Sequence, residues 1–137
     1  MEERESVILV VDDAEINIDI LMGALGDMYD VSVAMDGETA LETARDIKPD
    51  LILLDIMMPG MDGYEVCRRL KEDPATRGIP VVFLTALTEV EDKAKGFDAG
   101  AADYITKPFD VAEVDAKVRA ILSQKHDAES IGRPQAG

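Results

Sequence analysis

The segment LILLDIMMPGMDG, residues 51–63, joins a continuous apolar run to an aspartate and a loop that contains proline and glycine. Two other continuous apolar runs occur at residues 7–11 and 81–84. Such runs are typical of central strands in a parallel sheet that helices cover on both faces. Two weaker runs, an alternating one at residues 31–35 and a short one at 103–105, predict edge strands.

Apolar residues spaced three and four apart predict a helix after each strand. In chain order these residues are Ile18, Leu21, Leu25 and Met28; Ala40, Ala44 and Ile47; Val66 and Leu70; Val90, Ala94 and Phe97; and Val111, Val114, Val118 and Ile121. Capping pairs predict three helix starts, at Asp62 with Glu65, Thr88 with Glu91 and Asp110 with Glu113. Strict alternation of strand and helix predicts an open parallel α/β sheet with right-handed crossovers.

Length and composition indicate one domain and exclude several classes of partner. The chain has 137 residues and a formal net charge of −15, so we expect no nucleic-acid or membrane binding by this domain. Its single cysteine, Cys67, cannot form an internal disulfide and is expected to be buried. No apolar run approaches the roughly 20 residues that cross a bilayer, and the first residues lack a signal-peptide pattern. We therefore predict a soluble cytoplasmic domain at residues 6–122, followed by a polar tail or the start of a linker at 123–137.

Charged and hydroxyl side chains stand where four of the five predicted strands end. They are Asp12 and Asp13 after the first strand, Asp55 after the third, Thr85 after the fourth and Lys107 after the fifth. Because the carboxyl ends of parallel strands meet at one edge of the sheet, we expect these side chains to share a pocket. Clustered carboxylates repel one another unless a cation is present, and all-oxygen ligands suit Mg²⁺.

The chemistry that this set predicts is Mg²⁺-dependent phosphoryl transfer. A carboxylate can attack phosphorus to form an acyl phosphate, and the reaction needs a metal, a cation and hydrogen-bond donors around the phosphoryl group. Taken singly, Asp12 or Asp13 is better explained as a helix cap and Thr85 as a cap or turn residue, and one lysine before a proline indicates nothing. Only the set as a whole favours a functional site.

Four motifs together resemble the receiver domain of two-component response regulators. They are VDD at residues 11–13, LLDIMMPGMDG at 53–63, LTA at 84–86 and GAADYITKPF at 100–109. The resemblance covers nearly the whole predicted domain. It implies a flavodoxin-like (βα)5 fold with the strand order 2-1-3-4-5 and helices on both faces, and a cis peptide bond between Lys107 and Pro108.

The resemblance also implies the chemistry of the pocket. Asp55 would be the phosphoacceptor, and the phosphoryl donor would be a histidine kinase or a phosphotransfer protein. Mg²⁺ would be bound by Asp12, Asp13, Asp55 and the main-chain carbonyl of Met57. The protein would be a switch that assists only its own phosphorylation and dephosphorylation, and not an enzyme acting on other substrates.

Five positions would read out or prolong the phosphorylated state. Thr85 would donate a hydrogen bond to the phosphoryl group, Lys107 would pair with it, and Tyr104 would turn inward as Thr85 moves. Met57 and Leu87 stand two residues after Asp55 and Thr85, where some receivers carry polar side chains that orient the hydrolytic water. The apolar side chains here predict a slowly decaying phosphoryl group.

The partner surface and two alternatives complete the predictions. In receivers the fourth helix, fifth strand and fifth helix often form a partner or homodimer surface, on which this chain carries Lys93, Asp103, Lys117 and Arg119. One alternative is an aspartyl-nucleophile phosphatase or phosphotransferase, which would place its nucleophile after the first strand. The other is a receiver-like scaffold that is never phosphorylated, which the complete residue set disfavours. His126, in the polar tail, is assigned no role.

Overall fold

The computed structural model describes residues 6–86 and 100–132, with side chains within 6–85 and 100–124. Its strands are β1 (Val7–Val11), β2 (Asp30–Ala34), β3 (Leu51–Asp55), β4 (Val81–Ala86) and β5 (Asp103–Lys107). They pair in parallel in the order β2-β1-β3-β4-β5. The predicted strand order and the edge positions of β2 and β5 are confirmed. Three site residues were predicted to follow their strands but lie within them. Asp55 and Lys107 are the last residues of β3 and β5, and Thr85 is the last but one of β4.

Helices cover both faces of the sheet, as predicted. The described ones are α1 (Glu15–Leu25), α2 (Gly37–Ile47), α3 (Gly63–Glu72) and a last helix at Val111–Gly132. One face is packed by α1 and the last helix, through Leu21, Leu25, Val114 and Val118. The other is packed by α2 and α3, through Ala40, Ala44, Val66 and Leu70. The fourth predicted helix, with Val90, Ala94 and Phe97, lies outside the described residues.

Burial on both faces explains why the central strands are apolar throughout. In β1, Leu9 and Val11 belong to the core beneath α2 and α3, whereas Ile8 and Val10 belong to the core beneath α1 and the last helix. All four side chains are fully buried. A strand with only one buried face would alternate apolar and polar residues.

Three residues of the predicted apolar stripes are exposed, which corrects the prediction. Met28 is 43% exposed, Ile47 39% and Val111 53%. The reason is their position at helix ends. Since α1 ends at Leu25, Met28 lies beyond it, and the other two are the terminal residues of their helices.

The helix starts follow the predicted capping chemistry in part. The Asp62 carboxylate accepts a hydrogen bond from the Glu65 N–H at 2.9 Å, as the capping pair predicts. Asp110 instead accepts from the Ala112 N–H at 2.9 Å, one residue earlier than predicted. The predicted pair at Thr88 lies outside the described residues. Asp36, which sequence reasoning missed, caps α2 in the same way.

The last helix continues ten residues past the predicted domain end at Leu122. Ser123 and Gln124, the first of these, are exposed. The polar segment is therefore helical to Gly132, although the domain boundary itself stays a prediction. Within the described residues, no helix combines the length and apolar character needed to cross a membrane.

Candidate functional site

The parallel register brings the carboxyl ends of β1, β3, β4 and β5 to one edge of the sheet. Asp55 at the end of β3 lies opposite Leu84 of β4, directly before Thr85. Lys107 at the end of β5 lies opposite Ala86. The side chains of Asp12, Asp55 and Thr85 are almost completely buried, which is uncommon for polar groups and requires partners for them.

Asp12, Asp13 and Asp55 form an acidic cluster at this edge. Each offers one carboxylate oxygen, and these oxygens all lie within 4.8 Å of one another. Asp12 and Asp55 are buried, while Asp13 is exposed and forms the open side of the cluster. Oxygen ligands of this kind, with one side open to water, suit a hard cation such as Mg²⁺.

Asp12 is oriented by its own loop and does not cap α1. Its Oδ1 accepts a hydrogen bond from the Ala14 N–H at 2.9 Å, and its Oδ2 accepts one from the Asn17 side-chain amide at 3.2 Å. The first turn of α1 has no side-chain cap, so the helix-cap explanation of Asp12 is wrong. Sequence reasoning missed Asn17, which is the third residue of α1 and can be recognised as a partner only once the path of the loop is known.

Lys107 supplies the positive charge of the pocket. Its Nζ donates to Asp55 Oδ1 at 2.9 Å and lies 3.8 Å from Asp12 Oδ2. The Lys107–Pro108 peptide bond is cis, as predicted. Among the described residues, one ammonium group therefore faces three carboxylates, which gives this set a net negative formal charge.

The Asp55 carboxylate is held in a partly desolvated position. Burial raises the pKa of Asp55 above its ordinary value, and the nearby Asp12 carboxylate acts in the same direction. The hydrogen bond from Lys107 opposes this effect. A second donor, the Met57 N–H, reaches Asp55 Oδ1 at 3.3 Å. Both donors thus lie on the same carboxylate oxygen.

The loop between β3 and α3 folds closely over the backbone of Asp55. The Gly63 N–H donates to the Ile56 carbonyl at 2.9 Å and closes the loop. A Cβ atom on Gly63 would stand 2.4 Å from the Asp55 carbonyl oxygen and 2.8 Å from the Ile56 Cα. Glycine is therefore required at this position, which sequence reasoning quoted only as part of a motif.

A row of aromatic rings runs from α3 to the predicted switch residue. Tyr64 and Phe83 meet edge to face with ring centres 5.3 Å apart, and Phe83 and Tyr104 follow at 5.9 Å. Tyr104 is 3% exposed, so its ring points inward. Lys117 of the last helix donates to the Tyr104 carbonyl. Of these residues, sequence reasoning had named only Tyr104 for the switch. Leu87, which was predicted to affect the phosphoryl lifetime, and the side chain of His126 lie outside the described part of the structure.

Known proteins share both the sequence and this geometry. The sequence model of the response regulator receiver domain matches residues 8–119. The response regulator PleD of Caulobacter vibrioides is 54% identical over 119 residues, which is 86% of this chain and 26% of PleD. The DNA-binding dual master transcriptional regulator RpaA of Synechocystis is 48% identical over 120 residues, 84% of this chain and 48% of RpaA. The chain thus spans between a quarter and a half of these relatives.

Two solved structures match this chain over nearly their whole length. The receiver domain of the sensor histidine kinase PA1611 from Pseudomonas aeruginosa, solved with a magnesium ion coordinated in the active site cleft, aligns with a TM-score of 0.81 at 30% identity. The alignment covers 88% of this chain and 99% of that one. The chemotaxis protein CheY4 of Vibrio cholerae aligns with a TM-score of 0.82 at 28% identity, over 86% of this chain and 99% of CheY4. Family match, strand order and acidic edge agree, and the chain belongs to the response regulator receiver domain family.

Proposed function

We propose that Asp55 accepts a phosphoryl group from a phosphohistidine of a histidine kinase or phosphotransfer protein. The observation that carries this proposal is the position of Asp55, which is 3% exposed, 2.9 Å from the Lys107 ammonium and beside two further carboxylates. Burying an aspartate beside two other carboxylates costs stability. Such a group is therefore better explained by a chemical role than by a contribution to the fold. The relatives named above are response regulators, which supports the same role.

The transfer itself needs a free carboxylate oxygen in line with the phosphorus–nitrogen bond of the donor. Both described donors lie on Asp55 Oδ1, so we propose Oδ2 as the nucleophile. As its bond to phosphorus forms, the bond to the donor imidazole breaks and its electron pair returns to the ring. Lys107 offsets the negative charge of the phosphoryl group, and the Thr85 hydroxyl donates a hydrogen bond to it.

We propose Asp12, Asp13, Asp55 and the Met57 carbonyl as the protein ligands of Mg²⁺. The three clustered carboxylate oxygens fit a cation that takes a few oxygen ligands and keeps water on its open side. When bound, Mg²⁺ would neutralise charge on the phosphoryl oxygens. A bound cation would also reduce the repulsion that the three carboxylates exert on an incoming anion.

The phosphorylated state is proposed to act through Thr85 and Tyr104. This domain would then be a cytoplasmic switch and not an enzyme for external substrates.

A homodimer through the fourth predicted helix, β5 and the last helix is one candidate output. Lys117 lies 3.5 Å from both Asp103 and Glu113 of its own chain, and Arg119 is bound to Asp115. These internal pairs favour a dimer contact that does not depend on those charges. Sedimentation with and without a phosphoryl mimic tests it, and an unchanged mass excludes it.

The central test is labelling with acetyl phosphate, followed by intact-mass spectrometry. The wild-type protein is expected to gain one phosphoryl group when Mg²⁺ is present and none when the metal is chelated. Asp55→Asn should gain none under either condition. Asp46→Asn, which changes an exposed aspartate of α2, is the matched control and should label like the wild type. Full labelling of Asp55→Asn would disprove the assignment.

A further inference from the structure

Met57 is the most exposed methionine of the part of the chain that the structure describes. Its side chain is 78% exposed, against 44% for Met35 and 43% for Met28. Met58, its neighbour in the chain, is only 7% exposed. Oxidation of a thioether depends chiefly on access, so these values rank Met57 first for reaction with a dissolved oxidant.

The thiol of Cys67 is the other kind of sulfur group that an oxidant could attack, but Cys67 is fully buried in the core beneath α2 and α3. Burial also raises the pKa of the Cys67 thiol, which disfavours the reactive thiolate. An oxidant in solution therefore meets the Met57 thioether before it meets a thiolate.

The location of Met57 gives this chemistry a consequence. Its N–H donates to Asp55 Oδ1, so the Met57 side chain leaves the backbone directly beside the acceptor carboxylate. Water that hydrolyses an acyl phosphate on Asp55 must approach from the exposed side of the pocket. An apolar thioether cannot orient that water by a hydrogen bond.

We propose that Met57 is a site of reversible oxidation to methionine sulfoxide, and that this modification shortens the lifetime of the phosphorylated state. A hydroperoxide is the oxidant. Its terminal oxygen forms a bond to the Met57 sulfur as the O–O bond breaks, and the proton on that oxygen passes to the departing oxygen. The sulfur loses two electrons, and when the oxidant is hydrogen peroxide the departing oxygen leaves as water. The sulfoxide oxygen is a hydrogen-bond acceptor that can hold the attacking water beside the phosphorus. The lifetime effect rests on the proposed phosphorylation of Asp55.

The test combines limited treatment with hydrogen peroxide, peptide mass mapping and measurement of phosphoryl decay. The first oxygen is expected on Met57. The decay rate of the oxidised wild type should then rise roughly two- to tenfold, the effect of one added hydrogen bond. Methionine sulfoxide reductase should restore the original rate. For each variant, the oxidised protein is compared with its own untreated sample.

Two variants make the result specific. Met57→Leu should lose the response to peroxide, whereas Met35→Leu, which removes the second most exposed of the described methionines, should keep it. First oxidation at another residue, or an equal response of Met57→Leu, overturns the inference. If Asp55 is labelled normally but oxidation of Met57 leaves the decay rate unchanged, this inference is overturned and the proposed function is not. Absence of labelling before oxidation overturns the proposed function and the lifetime effect with it.

Discussion

Replacing Gly63 with alanine should damage both the stability and the chemistry of the domain, because the residue touches the backbone of Asp55, the proposed phosphoacceptor. The added Cβ would stand 2.4 Å from the Asp55 carbonyl oxygen, whereas ordinary contacts begin at 3.4 Å. The methyl group therefore overlaps the acceptor backbone by about 1 Å, as the difference of these two distances. Both nearest neighbours are backbone atoms, which cannot move aside as a flexible side chain can.

Overpacking of this kind is expected to lower the free energy of unfolding by about 1–3 kcal/mol. Relief of the overlap must shift the start of α3 or the end of β3, and the second shift moves Asp55 relative to Lys107. Misplacement of a reacting group by about 1 Å can cost on the order of a hundredfold in rate, so labelling by acetyl phosphate should slow by a similar factor.

Gly23→Ala is the matched control for this substitution. Gly23 lies on the exposed side of α1, and an added Cβ has no atom within 4 Å. Alanine favours a helix interior by about 0.5–1 kcal/mol over glycine, so this variant should be slightly more stable and label normally. Chemical denaturation and intact-mass labelling measure both effects. If Gly63→Ala matches the wild type in stability and rate, the close approach described here is wrong.

Three other predictions test the electrostatics and the lifetime of the site. Because burial raises the pKa of Asp55, the folded state holds its proton at a higher pH than the unfolded state does, so stability without metal should fall as pH rises above the ordinary aspartate value. Asp55→Asn should flatten this fall and raise stability at neutral pH, as measured by denaturation at several pH values in chelator; an unchanged profile contradicts the burial effect. Lys107→Met should slow labelling by about a hundredfold, as loss of a charge-stabilising donor does, and a wild-type rate would remove Lys107 from the mechanism. Met57→Asn and Leu87→Glu should each speed phosphoryl decay, and side-chain control of the lifetime is wrong if neither does.

The fold was predictable because burial on two faces leaves a strong trace in the sequence. Continuous apolar runs such as residues 51–54 cannot be exposed on either side, and helices must cover both. The same reasoning located the site, since parallel strands deliver Asp12, Asp55 and Lys107 to one edge whatever the lengths of the loops. Strand order came from the family resemblance and not from the residues.

What could not be predicted depends on the paths of loops. Met57 and Met58 are adjacent and identical, yet one is 78% exposed and the other 7%. No periodicity distinguishes them, because the loop after β3 is irregular. The contact of Asn17 with Asp12 and the approach of Gly63 to Asp55 have the same origin. Both join residues whose distance is fixed by a turn and not by a repeating element.

The excess of carboxylates over cations in the pocket follows from the residues that end the parallel strands at one edge of the sheet. Parallel strands bring three carboxylates together and bury two of them, while a single ammonium group, that of Lys107, lies among them. A fold selected only for stability would place apolar residues at Asp12 and Asp55, because replacing buried charges with apolar side chains is often neutral or stabilising. The charge imbalance raises the affinity of the pocket for a cation, and binding of that cation stabilises the folded state by mass action. Denaturation of the wild type with and without Mg²⁺ should therefore show a metal-dependent gain in stability that Asp55→Asn loses in large part.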